Sequence, residues 1–179
     1  WYGYAAALAV NTGFFFLTDS KTSLLVGIFA VLYTFLFKVI KNDGIRKWFG
    51  ICGMSVSGLS VLFSVLIAAN AYRIYDYIWY FEWTRPTGRI ASLVGTTEWE
   101  GTIQTWKLFS DPSSHYFFDL GWVRVFYWYG IIPGIIMVAV FLYMLTYCIQ
   151  KKRYMELSMA VSFAVYTLVE AHAVSDYIG

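Results

Sequence analysis

Charge is scarce in this chain. Asp, Glu, Lys and Arg together make up 13% of 179 residues, about half the share of an ordinary soluble domain. The net charge of +2 gathers in short connectors, and no arginine- or lysine-rich stripe crosses a polar region. That excludes a nucleic-acid interface. No glycine-rich phosphate loop, nucleophile elbow or HExxH stretch occurs, which removes the common soluble catalytic classes. The sequence holds two histidines and two cysteines, too few and too dispersed for structural zinc. Cys52 and Cys148 fall within long apolar runs, where they read as small packing residues rather than a disulfide. The start at Trp1 has no basic segment ahead of its apolar stretch. It therefore does not read as a signal peptide, and the chain is expected to be a piece of a longer protein.

What fills the space left by charge is hydrophobic sequence, 59% of the chain, with a mean hydropathy of +0.58. Residues 48–71 and 125–149 carry no formal charge and are long enough to cross a bilayer. A soluble core would have to hide several such segments at once, which surface-to-volume scaling opposes. The expected fold class is therefore all-α: a polytopic transmembrane helical protein, one integral membrane domain over 1–179. Its spans are expected at 1–17, 23–39, 48–71, 125–149 and 155–174, with a long outer loop at 72–124 containing short or interfacial helices. The connector at 38–47 sets Lys38, Lys41, Arg46 and Lys47 against Asp43, and the second connector holds Lys151, Lys152 and Arg153. Basic connectors mark the cytoplasmic side. Two spans separate them, so they share that side. The expected location is a bacterial cytoplasmic membrane, multi-pass, with the loop extracytoplasmic. Asn42, Asp43 and Gly44 read as a turn. Gly53, Ser55, Ser57, Gly58, Ser60 and Ser64 read as close helix packing, and Pro133 with Gly134 as a kink.

The loop carries the chemistry. Arg89 falls in the first turn of a helix starting near Thr87, where a guanidinium beside unpaired backbone N–H groups can grip phosphate; Arg85 precedes it across Pro86. Glu98 and Glu100 open another helix and either cap it or serve as a base. Their i,i+2 spacing puts them on different helix faces. His115, Asp119 and Arg124 bring a titratable donor, a carboxylate and a fixed cation within ten residues. Arg124 borders an uncharged run and needs phosphate or Asp119 nearby. Glu170 and His172 sit in an otherwise apolar terminal segment, where ionisable groups are costly unless paired.

Four motifs in this order, LTDSKTS at 17–23, TGRI at 87–90, FDLGWVRVFYWYGII at 118–132 and VEAH at 169–172, resemble the C-terminal part of bacterial polysaccharide polymerases of the Wzy/O-antigen polymerase and ligase type. The resemblance implies an inverting, metal-independent glycosyltransferase that needs no cofactor. It would polymerise polyprenyl-diphosphate-linked oligosaccharide repeat units at the outer membrane face, as in capsule or exopolysaccharide synthesis. Implied partners are those lipid-linked oligosaccharides, membrane lipids, and flippase and chain-length regulator proteins. Under that implication Lys21, Arg85, Arg89, Asp119 and Arg124 bind substrate. Glu98 or Glu170 takes the acceptor proton, while His115 or His172 orients sugar or diphosphate. Where the family commonly carries arginine, this chain has Lys21, which keeps the charge and loses the bidentate fork. Two other readings stand beside it. A transporter or flippase component would need polar residues lining its spans, and the middle two spans have no charged ones. A non-catalytic scaffold would use the loop to hold a partner.

Overall fold

In the computed structural model, the described residues are 21–79, 93–94, 101–109 and 120–169. They form six helices: α1 Lys21–Val39, α2 Asp43–Ala69, α3 Ala71–Trp79, α4 Gly121–Tyr129, α5 Ile131–Gln150 and α6 Tyr154–Val169. A single 3-10 turn spans Ile103–Thr105. Helix α6 is the centrepiece and packs against α1, α2, α4 and α5. Leu157, Ser158, Val161, Ala164 and Thr167 are all inaccessible to solvent, a wide buried face that fits a helix surrounded by neighbours.

Asn42 starts α2 as its N-cap, its Oδ1 accepting from the Gly44 and Ile45 amides at 2.9 and 3.2 Å. The expected turn at 42–44 is thus a helix cap. Along α2 the buried positions are Gly50, Gly53, Ser57, Ser60, Val61, Ser64 and Ala68. They recur every three or four residues on one stripe, and all but Val61 are small. Ser55 is exposed and Gly58 lies off the stripe, so the 3.6-residue period selects among the small residues that composition grouped together. The serine hydroxyls donate to their own helix: Ser57 to the Gly53 carbonyl at 2.9 Å, Ser60 to Ser57 at 2.7 Å, Ser64 to Ser60 at 2.9 Å. No buried hydroxyl on this stripe goes unmatched.

Helix α1 contributes Phe29, Tyr33 and Phe37 at successive turns. Their rings stack or meet edge-on at 5.5 and 5.0 Å, and Phe37 continues onto Tyr154 at 5.1 Å. The Tyr33 hydroxyl donates to the Phe49 carbonyl at 2.8 Å. Gly53 makes that contact possible, because a Cβ there would stand 2.0 Å from the Tyr33 oxygen.

Several expectations fail here. The polytopic five-span fold, the multi-span transmembrane character expected of such a glycosyltransferase and the multi-pass cytoplasmic-membrane location are overturned. Among the described residues only α2 and α5 are long and apolar enough to cross a membrane, with 33% and 17% of those windows buried. The apolar part of α1, Val26–Val39, is shorter, and α6 has 16 residues. What stands instead is a six-helix bundle with three buried clusters. The segment 72–124 is not a separate outer loop, since Leu93, Val94, Thr102 and Leu120 are buried in the bundle. Its expected boundary at 124/125 falls in the middle of α4. Cys148 is buried as expected, whereas Cys52 is exposed. The expected span 1–17 and the last part, 170–174, of the expected span 155–174 lie outside the described residues.

The misreading has a physical source. Apolar side chains such as Leu32, Phe35, Phe63, Val140 and Tyr143 face outward, and hydroxyls and glycines face inward. Hydropathy summed along the chain registers these residues but not where helices end, and α1 and α6 stop short of the apolar length that α2 and α5 reach. The basic connectors do meet at one end, but they form intrachain contacts. Lys152 Nζ lies 2.5 Å from Asp43, and Arg153 lies 2.8 Å from Glu156.

Two predictions follow the packing. Gly53→Ala displaces Tyr33 and is expected to lower unfolding stability by about 1–3 kcal/mol. Gly58→Ala, where no atom lies within 4 Å of a new Cβ, is expected to raise it by up to about 1 kcal/mol; denaturant titration separates the two. The Asp43 carboxyl is held below its ordinary value chiefly by the hydrogen bond from Lys152. Its contribution is therefore complete above the unfolded carboxylate pKa and lost as pH falls through the lower folded value, below about pH 4. Asp43→Asn should remove that part of the acid limb in a melting-temperature profile against pH.

Candidate functional site

Helix α4 is where the fold and the predicted chemistry meet. Its first six residues, 121–126, are all buried. Trp122 Nε1 donates to the Ala164 carbonyl of α6 at 3.1 Å, and Phe126 stacks on Trp106 at 5.2 Å with planes 8° apart. These two aromatic contacts fix the rotation of α4 about its axis.

The helix ends at Gly130, whose φ of 94° and ψ of 166° are open to glycine and not to residues with a Cβ. The expected continuous helix over 125–149 is therefore two helices. Pro133, expected to kink it, lies in the first turn of α5, where its missing N–H costs nothing; the break belongs to Gly130. A Cβ at Gly130 would meet the Phe109 Cα at 2.6 Å. The strand of loop at 107–109 lies against this glycine and accepts the Ile131 and Ile132 amides on Lys107 and Leu108 carbonyls at 2.9 and 3.1 Å. Amides that α5 cannot satisfy within itself are satisfied by the loop.

Arg124 is held inside this arrangement. The sequence placed it at the border of a lipid-crossing run; the structure buries it to 2% exposure. Its guanidinium carbon lies 3.6 Å from the centre of the Trp128 ring, one helical turn on. A cation over an indole face in a desolvated setting gains about 2 kcal/mol, which favours this placement of the guanidinium. Chemically, such a group is a preoriented positive charge in a low-dielectric setting, suited to developing negative charge on phosphate.

Of the other predicted site residues, Lys21 is the first residue of α1, with its side chain outside the described residues. Arg85, Arg89, Glu98, His115, Asp119, Glu170 and His172 also lie outside the described residues. Arg124 is thus the one predicted site residue whose side chain is described. Sequence reasoning missed Trp128, Trp122 and Trp106 as its setting. The signal for Trp128 was present in the i,i+4 spacing from Arg124, obscured by starting the helix at 125. Among the described residues no group of three or more His, Cys, Asp or Glu is placed to hold a metal ion.

No family model matches this chain, and no match is found among curated proteins or solved structures. The resemblance to polysaccharide polymerases rests on the sequence motifs alone.

Gly130→Ala should strain the backbone and press on the 107–109 segment, at about 2 kcal/mol or more. Hydrogen exchange is the measurement. The Ile131 and Ile132 amides are expected to lose protection, while amides in the first half of α2 keep theirs.

Proposed function

We propose that the chain transfers glycan from a polyprenyl-diphosphate carrier to the hydroxyl of a second lipid-linked oligosaccharide, with Arg124 stabilising the departing diphosphate. The acceptor oxygen bonds to the anomeric carbon as the bond from that carbon to phosphate oxygen breaks. The diphosphate leaves with the electron pair, and the hydroxyl proton passes to Glu98 or Glu170. Arg85, Arg89, Lys21 and Asp119 are assigned to substrate, and His115 or His172 to orienting it. The observation that carries the reading is the buried guanidinium standing over Trp128 at 3.6 Å. It supplies a charge where leaving-group stabilisation is worth most. The order of the four sequence motifs supports the same chemistry.

A second reading is favoured by the 2% exposure of Arg124: a cation that anchors α4 and does no chemistry. Arg124→Met separates the two, because an apolar side chain of similar length often replaces a buried charge without loss of stability. Under the transfer reading, Arg124→Met lowers conversion of lipid-linked repeats into longer chains by about a hundredfold or more. Arg124→Lys, which keeps charge without the planar fork, retains part of it. Chain extension at the parental rate by folded Arg124→Met protein would overturn the assignment, and a melting temperature on each variant reports the anchoring role.

A further inference from the structure

The first turns of α2 carry a groove that the packing of the bundle leaves open. Its lining is Gly44, Ile45, Trp48, Phe49 and Cys52, and its volume is about 450 Å³. Gly44, Trp48 and Cys52 follow one another at i, i+4 and i+8, so the groove runs along one face of the helix for about 12 Å. Phe49 packs against the core cluster shared by α1, α5 and α6 and forms the floor. Ile45 and Trp48 form walls that are 48% and 71% exposed, although both side chains gain from leaving water. Gly44 closes nothing, having no side chain, and leaves that end of the groove open.

Two lysines flank the open end. Lys47 is three residues on from Gly44, which makes the two neighbours on the helix surface. Lys41 directly precedes the Asn42 cap. Both are exposed, and among the described residues neither ammonium has a hydrogen bond or an ion pair. Asp43, the acid that lies between them in sequence, is engaged elsewhere: it takes Lys152 at 2.5 Å and lies 3.9 Å from Arg46. The groove therefore joins a body with no charged or hydroxyl side chain to an end with two uncommitted positive charges.

We propose that this groove binds a fatty-acid anion, its alkyl chain along Ile45, Trp48, Phe49 and Cys52 and its carboxylate at Lys41 and Lys47. An unbranched chain matches a narrow apolar channel that offers no polar group to orient a more functionalised ligand. A single anionic head matches the charge at the open end. A second copy of the chain fits less well. The two-fold contact commonest between identical chains would bring the same lysines into the interface, and a groove of this length falls far short of the roughly 800 Å² per partner of a stable interface. The site is independent of the transfer chemistry around Arg124. Val61, which packs with Trp122 and Phe126 of α4, lies about 20 Å along α2 from Trp48.

The chain carries its own reporter. Of its two cysteines, Cys52 lines the groove and is exposed, while Cys148 is buried. The rate at which iodoacetamide alkylates Cys52 in the folded full chain therefore reads occupancy, with Cys148 as the internal reference. Sodium dodecanoate at about ten times its half-saturating concentration should slow Cys52 alkylation about tenfold. Dodecan-1-ol, which keeps the chain and drops the charge, should need about threefold more for the same protection, and dodecyltrimethylammonium more still. Trp48→Ala removes an exposed wall and should raise half-saturation by dodecanoate about tenfold. The double variant Lys41→Gln, Lys47→Gln should raise it about threefold or more and bring dodecanoate level with the alcohol. No protection by dodecanoate, equal protection by the cationic probe, or unchanged half-saturation in Trp48→Ala would overturn the proposal. So would alkylation of Cys148 on adding dodecanoate, which marks unfolding by the probe, or protection of Cys52 that rises with protein concentration alone, which marks a second copy in the groove.

Discussion

Gly50, Gly53, Ser57, Ser60 and Ser64 leave a shallow channel along α2, and α6 lies in it. A Cβ on Gly50 would stand 3.0 Å from Leu157, and one on Gly53 would stand 3.0 Å from Val161. The same channel admits the Tyr33 hydroxyl to the α2 backbone and brings the Ser60 hydroxyl within 3.5 Å of the Ala164 carbonyl. Ala164 in turn accepts Trp122 of α4. The close approach of α2 to α6 therefore sets where α1 lies on one side and where α4 lies on the other. Widening it anywhere would shift the aromatic ladder of α1 and the anchor of α4 together, because interiors packed at crystal-like density transmit displacement.

From that seam the path to Arg124 is short. Trp122 and Phe126 pin α4 by its indole hydrogen bond and its stack on Trp106, and Gly130 turns the chain so that α5 can leave in a new direction. Arg124 stands between those two anchors on a helix that cannot rotate. Its orientation is set by the bundle that holds the helix and by the Trp128 ring beneath the guanidinium. A side chain of high rotational freedom has been given one conformation before any ligand arrives, which is the condition for electrostatic stabilisation without reorganisation.

How much of this the sequence revealed depends on which signal is asked. Helical content and the approximate positions of α1, α2, α5 and α6 were visible in the apolar runs and the basic turns between them. The small residues of α2 announced a packing surface, though only the helical period tells Ser57 from Ser55. The bilayer reading failed on helix length: among the described residues the apolar part of α1 and the whole of α6 are shorter than the spanning length that α2 and α5 reach. The break at Gly130 was hidden for a related reason: one glycine within an uncharged run leaves no mark on hydropathy, and the adjacent proline drew the expected kink three residues downstream. Arg124 was found because a charge in an apolar stretch is conspicuous, while its partner ring was lost with the helix boundary.

The two cationic centres of the molecule obey different electrostatics, and this decides what each can do. The cations of the connector end are largely solvated: the Lys152 and Arg153 side chains are 64% and 53% exposed. In water a single pair of that kind contributes little and is screened within about 8 Å at physiological salt. At this end Lys152 is met by Asp43 and Arg153 by Glu156, acids of the same chain. Arg124, 2% exposed, stands instead where burial removes the solvent that would dilute its field. Eighteen residues of α2, roughly 27 Å at the helical rise, separate Arg46 from Ser64 in the region packed near α4. That is several screening lengths. At that distance the solvated pairs of the connector end act only weakly on Arg124, and the two ends are separate electrostatic environments.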